Sequence, residues 1–192
     1  MKTALLIIDI QNDYFPGGTM ELVGAEQAGQ KAKEALEYFR SCNLPVIHIQ
    51  HISARSGATF FLPGTAGAEI HPCVAPLPGE TVITKNYPNS FRDTVLLEQL
   101  LSLGIERLAI AGMMTSMCVD ATARAAFDLG FQNVLLHDAM ANPNLSFNGT
   151  SIPAVQVHGA FLAALGSVYG RPLTVTDLFT ELTGSQCHLD PK

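Results

Sequence analysis

RLAIAGMMTSMCVDATAR, residues 107–124, is the stretch whose reading decides the fold. It opens on an apolar run, Leu108-Ala109-Ile110-Ala111, with the size and composition of a buried strand. Gly112 breaks the run, Thr115-Ser116 supplies a polar turn, and Cys118 follows. The continuation VDATARAAFDLG is rich in helix formers and closes on Gly130, where a left-handed C-cap belongs. Cys118 therefore stands at the joint between a strand and the mouth of a helix. Free N–H groups and the positive dipole end of a helix favour an anion there. For a thiol that anion is the thiolate, which is the nucleophile. The alternative is a buried structural cysteine, the commoner fate of a free thiol.

Working outward, the same alternation repeats. Residues 3–10 form an apolar strand with Asp9 near its C-terminal end, followed by the loop QNDYFPGG with strong turn punctuation at Pro16-Gly17-Gly18. Ala28, Ala32, Ala35, Leu36 and Phe39 carry helical spacing across residues 24–42, and residues 45–50 are a second strand. Residues 51–79 are irregular and rich in Gly, Pro and Ser, but Phe60, Phe61, Leu62 and Ile70 make an ordered flap the expectation. A third strand, 81–84, ends at Lys85, and a helix over 93–103 has Asp93 as its expected N-cap. Beyond the central unit, a strand over 132–137 ends at Asp138. An Asn-rich exposed loop over 139–150 follows, and then a helix over 152–165. Short strand segments at 167–169 and 174–175 precede a last helix that Asp177 is expected to cap. Strands alternating with helices mean one α/β domain over residues 1–192, a doubly wound and mostly parallel sheet with right-handed crossovers.

Composition narrows the function. The chain has 192 residues, 47% hydrophobic and 15% charged, with a net charge of −6. That profile excludes disorder and leaves no basic footprint for nucleic acid. No apolar run reaches membrane-spanning length and no signal-peptide cleavage site follows the N-terminus, so a soluble cytoplasmic protein is expected. Cys42, Cys73, Cys118 and Cys187 make no C-x-x-C pair, and a reduced state is the simpler expectation, with all but Cys118 as bystanders. There is no G-x-G-x-x-G and no G-K-[ST], hence neither a dinucleotide fingerprint nor a phosphate loop.

In an open parallel sheet the site lies beyond the carboxyl ends of the strands. Asp9, Lys85 and Cys118 all fall at such ends. Singly, Asp9 reads as a turn cap and Lys85 as a surface lysine. Together they are a working set, with Lys85 favouring the thiolate by charge and Asp9 moving the thiol proton to a leaving amine.

LLIIDIQNDY, TVITKNYPNSFRDT and IAGMMTSMCVDATARAAFDLGF, in this order and spacing, resemble the signature blocks of the isochorismatase-like cysteine hydrolases. The resemblance runs from about Thr3 to Val157. It implies a six-stranded three-layer α/β/α fold with sheet order 3-2-1-4-5-6 and an Asp-Lys-Cys triad at Asp9, Lys85 and Cys118. It also implies a cis peptide at Met113-Met114 that turns the Met114 N–H toward the site, where it joins the Cys118 N–H as an oxyanion hole. The implied reaction is hydrolysis of a C–N bond in a small amide or ureido compound through a thioester. Gln11, Phe15 and Phe91 are expected pocket residues, each with an equally ready structural reading. Nicotinamidases of the family carry an Asp-x-His metal site after the second strand. Here that region reads IQHISARSG, and His48 and His51, three apart on an extended segment, point to opposite faces. No metal and no cofactor are expected. His158 reads as a packing or interface residue. The competing readings are an isochorismatase-type vinyl-ether hydrolase and a non-catalytic oligomeric binding domain. The low charge and the apolar loops, with the resemblance, predict a homodimer or homotetramer acting on a small molecule, with no nucleic acid or membrane partner.

Overall fold

Thr3–Ile8 (β1) is buried at every position, as a strand covered on both faces must be. The computed structural model describes residues 1–183 and Cys187. In chain order it continues with α1 (Ala25–Ser41), β2 (Val46–His51), β3 (Thr81–Lys85), α2 (Leu96–Ser102), β4 (Arg107–Met113) and α3 (Asp120–Asp128). Then come β5 (Gln132–Ala141), β6 (Leu145–Phe147), β7 (Thr150–Ile152), α4 (Ala154–Val168), β8 (Arg171–Leu173) and α5 (Val175–Thr183). Six strands form one parallel sheet in the order β3-β2-β1-β4-β5-β8, the expected doubly wound order. Successive residues of a strand face opposite ways, so β1 feeds two cores. Leu5 and Ile7 pack with α1 and α5, while Leu6 and Ile8 pack with α2, α3 and α4. The result is three layers.

Three local features position the site. β1 stops at Ile8 rather than at Ile10, because Asp9 takes a left-handed backbone (φ 52°) that turns the chain across the sheet edge. Gly112 has φ 143°, and a Cβ there would overlap the Ile8 carbonyl, so only glycine lets β4 lie this close to β1. Next to it the register of β4 against β5 shifts between Ile110 and Gly112, which lets β5 continue through Asp138 to Ala141. The expected loop over 139–150 is therefore partly strand. Its remainder is an antiparallel β6–β7 hairpin around Asn148 (φ 49°) and Gly149 (φ 76°), a pair that favours such turns.

Other expectations shift in instructive ways. Helix α2 begins at Leu96, not Asp93, because the chain from Ser90 is held in a turn by the Thr94 hydroxyl donating to the Ser90 carbonyl (2.6 Å). Asp177 is not the cap of α5 but one half of a reciprocal pair. Thr174 Oγ1 accepts from the Asp177 N–H (3.1 Å) and itself donates to the Asp177 carboxylate (2.6 Å). Cys42 and Cys187 are not bystander thiols: they form a disulfide that ties the end of α1 to the segment after α5. These helices already lie side by side, Tyr38 stacking on Phe179 at 4.1 Å, which brings the two cysteines together. The expectation of a fully reduced chain is corrected accordingly. Among the described residues no helix is long and apolar enough to cross a membrane.

Candidate active site

At the carboxyl edge of the sheet, Lys85 closes β3 directly opposite His51 of β2, and Asp9 follows β1. Lys85 is fully buried, so the surface-lysine reading falls. Its ammonium forms an ion pair with Asp9 Oδ2 at 2.7 Å and donates to His51 Nδ1 and to the Tyr87 carbonyl, each at 3.0 Å. An ammonium can only donate, so His51 Nδ1 accepts and its proton sits on Nε2. Burial, reinforced by the Lys85 charge, holds His51 below the ordinary histidine value and keeps it neutral. Burial works against the Lys85 charge, yet Asp9 and Cys118 outweigh it and hold Lys85 above the usual lysine value. Removing either partner of a buried pair strands the other charge, which costs about 3–5 kcal/mol.

Cys118 lies in a π-helical turn, Thr115–Val119, that runs straight into α3. Ligand atoms of Asp9, His51 and Cys118 lie within 4.8 Å of one another. The three residues named from the sequence are thus brought to one place. The thiol itself differs from expectation. Burial at 5% exposure, together with the Asp9 charge, pushes it well above the ordinary thiol value, and the opposing pull of Lys85 does not compensate. The Met113-Met114 bond is cis, as the resemblance implied. The turn is fixed from behind. Asn142 Oδ1 accepts from the Ser116 N–H (3.0 Å) and hydroxyl (2.7 Å), and Thr115 Oγ1 hydrogen-bonds His158 Nδ1 (2.9 Å), giving His158 a packing role.

Above the sulfur is a cavity of about 270 Å³, lined by Tyr14, His51, Phe60, Tyr87, Met114 and Met117 among others, with Arg55 at its rim. Gln11, Phe15 and Phe91 do not line it. Gln11 is buried behind His51, clamping both backbone groups of that residue: Nε2 donates to its carbonyl (2.9 Å) and Oε1 accepts from its N–H (2.7 Å). Phe15 stacks on His71 (centroids 3.6 Å) in a separate cleft, and Phe91 packs on Phe131 in the core. Sequence reasoning weighed His51 only as a metal ligand and missed Tyr14, Phe60 and Tyr87. The signal for Tyr14 was its place on the turn that leaves β1. His48 turns to the other side, onto Glu80 at 3.0 Å, as the alternation predicted. A cation shared by Asp9, His51 and Cys118 would have to lie beside the Lys85 ammonium, which already bonds the first two. The donor set does not suit a metal.

The comparisons agree with this architecture. The model of the isochorismatase domain matches residues 3–165. YddQ of Bacillus subtilis (strain 168), an isochorismatase family protein, is 48% identical over 91% of this chain and 97% of its own. A solved structure described as an isochorismatase hydrolase from Oleispira antarctica superposes with a TM-score of 0.88 at 47% identity, covering 93% of this chain and 96% of that one. The maleamate amidohydrolase of Pseudomonas putida is 28% identical over 94% of this chain and 87% of its own. The chain belongs to the isochorismatase family, and it is a hydrolase.

Proposed function

We propose that the protein hydrolyses a C–N bond of a small amide or ureido compound through a thioester on Cys118. The observation that carries this reading is the buried Asp9–Lys85 pair at 2.7 Å with the Cys118 sulfur within 4.8 Å of the carboxylate, at the floor of a cavity. The raised thiol makes proton transfer part of the reaction. As the sulfur attacks the carbonyl carbon, its proton passes to Asp9, and the carbonyl oxygen takes up the negative charge beneath the N–H groups of Met114 and Cys118. The tetrahedral intermediate collapses with cleavage of the C–N bond, Asp9 returning the proton to the departing amine or ammonia. Asp9 then takes a proton from water, whose oxygen attacks the thioester carbon, and the thiol leaves protonated. Lys85 serves by charge: it offsets Asp9 so that a second anion can form beside it. The amidohydrolase name of the Pseudomonas relative supports the same bond class.

Ammonia release from a panel of small amides and ureido compounds is the test, with acyl adducts sought by protein mass spectrometry. Cys118→Ala is expected to lower turnover by at least about a thousandfold and to remove the adduct. Activity that survives Cys118→Ala would overturn the thioester and point to acid chemistry by Asp9 alone.

A further inference from the structure

We propose that the substrate carries a carboxylate or comparable anion at the end remote from its scissile bond, and that Arg55 is the residue that binds this anion. The chain has six arginines. Five are paired with carboxylates: Arg40 with Glu80, Arg92 with Asp93, Arg107 and Arg171 with Glu181, and Arg124 with Asp120. Arg55 has no carboxylate partner and no side-chain hydrogen bond among the described residues, and it lines the cavity above Cys118. An arginine left unpaired at the mouth of a reactive cavity, in a protein of net charge −6, is placed for an anion from outside the chain.

The rest of the cavity gives the substrate a direction. His51 is neutral and Lys85 is balanced by Asp9, so Arg55 is the uncompensated charge of the lining. Tyr14 is buried, lines the cavity and has no hydroxyl partner among the described residues. Burial first, then Cys118 and Asp9, hold its phenol above the ordinary value, so it is a neutral donor in the same lining as the sulfur. The rings of Phe60 and Tyr87 belong to the same lining. With Cys118 and Tyr14 buried and Arg55 exposed, a matching ligand has an uncharged polar group at the sulfur and a negative end toward solvent. The base of the Arg55 loop is pinned: Ser53 N–H donates to the Phe61 carbonyl and Ser53 Oγ to the Phe60 carbonyl, both at 2.8 Å. The Ala58 N–H closes a turn on the Arg55 carbonyl at 3.2 Å. The guanidinium is therefore carried on a short turn at the rim.

This inference rests on the thiol reading, so its test follows alkylation rather than turnover. N-bromoacetylglycine, N-bromoacetyl-β-alanine and N-bromoacetyl-4-aminobutyrate share one alkylating head on tails of increasing length. Each is compared with its neutral carboxamide, the rate at Cys118 being read by peptide mass and normalised to the same pair reacting with glutathione. For at least one tail length the acid should be favoured by about 1.5-fold to fivefold, the range expected of a partly exposed ion pair. Arg55→Met should bring that ratio to parity, and Arg55→Lys should keep part of it. Parity in the wild type at all three lengths, or an excess that survives Arg55→Met, overturns the proposal. If no reagent labels Cys118, the thiol reading fails on its own. Calorimetry of succinamate against succinamide on the Cys118→Ala protein then decides: tighter succinamate binding that Arg55→Met removes supports the anion site, and equal binding sinks it.

Discussion

Residues 52–80 and residues 142–152 look alike in sequence, both rich in turn-forming residues and both dotted with large apolar side chains, yet they meet opposite fates. The first folds inward. Phe61 is 1% exposed, its ring tilted at 58° against Tyr14 with centroids 4.6 Å apart, and Phe60 walls the cavity. The second projects as a hairpin with Phe147 70% exposed. The difference lies in carboxylates outside the apolar pattern. Asp13 Oδ2 accepts from the Phe61 N–H (2.7 Å) while Oδ1 takes the Thr19 N–H and hydroxyl, and a Cβ at Gly67 would overlap this carboxylate. Glu80 holds the far end, accepting from Arg40 (2.7 Å) and the Leu77 N–H (2.9 Å) and bonding His48 (3.0 Å). Residues 142–152 contain no carboxylate at all. Anions that satisfy backbone donors, buried at Asp13 and half-buried at Glu80, turn an apolar loop into a wall; without them the same residues stay outside.

The sharpest way to break this contrast is Asp13→Ala. It leaves the Phe61 N–H without its acceptor and should cost about 2–4 kcal/mol of stability. Because Phe60 and Phe61 then lose their seat, KM should rise well before kcat falls. Chemical denaturation paired with steady-state kinetics checks it, and an unchanged KM would mean the anchor does not shape the cavity.

Acid should loosen the other anchor next. Glu80, held at about 2 by Arg40 against an ordinary 4.5, contributes stability that is full above pH 4.5 and lost as pH falls toward 2. Burial holds His48 below its ordinary 6.5, so from that pH downward the unfolded chain takes up a proton that the folded one resists. Both effects have one sign: stability falls with pH. Hydrogen exchange corrected for intrinsic rate should show protection at the Leu77 N–H declining below pH 4.5 while the hairpin amides stay level. Equal loss in both segments would erase the distinction.

The smallest effect on the fold is expected at the projecting segment. Phe147→Asp should change monomer stability by no more than about 0.5 kcal/mol. If the exposed Leu145 and Phe147 edge meets another copy of the chain, sedimentation will show weaker assembly at the same time. A stable monomer in the parent protein would assign the hairpin another use.

The sequence by itself determined five of the six strands of the sheet; the sixth, expected at 167–169 and 174–175, is Arg171–Leu173 instead, because α4 runs on to Val168 and α5 already opens at Val175. Period and composition named its buried strands, and turn residues such as Gly130 marked where helices end. It also placed Asp9, Lys85 and Cys118 at strand ends, which in a parallel sheet is already a statement about proximity. The hairpin around Asn148-Gly149 was read only as an exposed loop, because strands of three residues offer no period to read. The tertiary structure alone decided the rest. It assigned Gln11 to the back of His51 and Phe15 and Phe91 to packing, because which face of a loop meets the cavity depends on contacts far along the chain. It joined Cys42 to Cys187 across 145 residues. It also set the state of the Cys118 thiol, since a helix mouth favours a thiolate locally while burial and a neighbouring carboxylate oppose it more strongly. Local order is written in spacing. Desolvation and pairing depend on what the fold brings alongside.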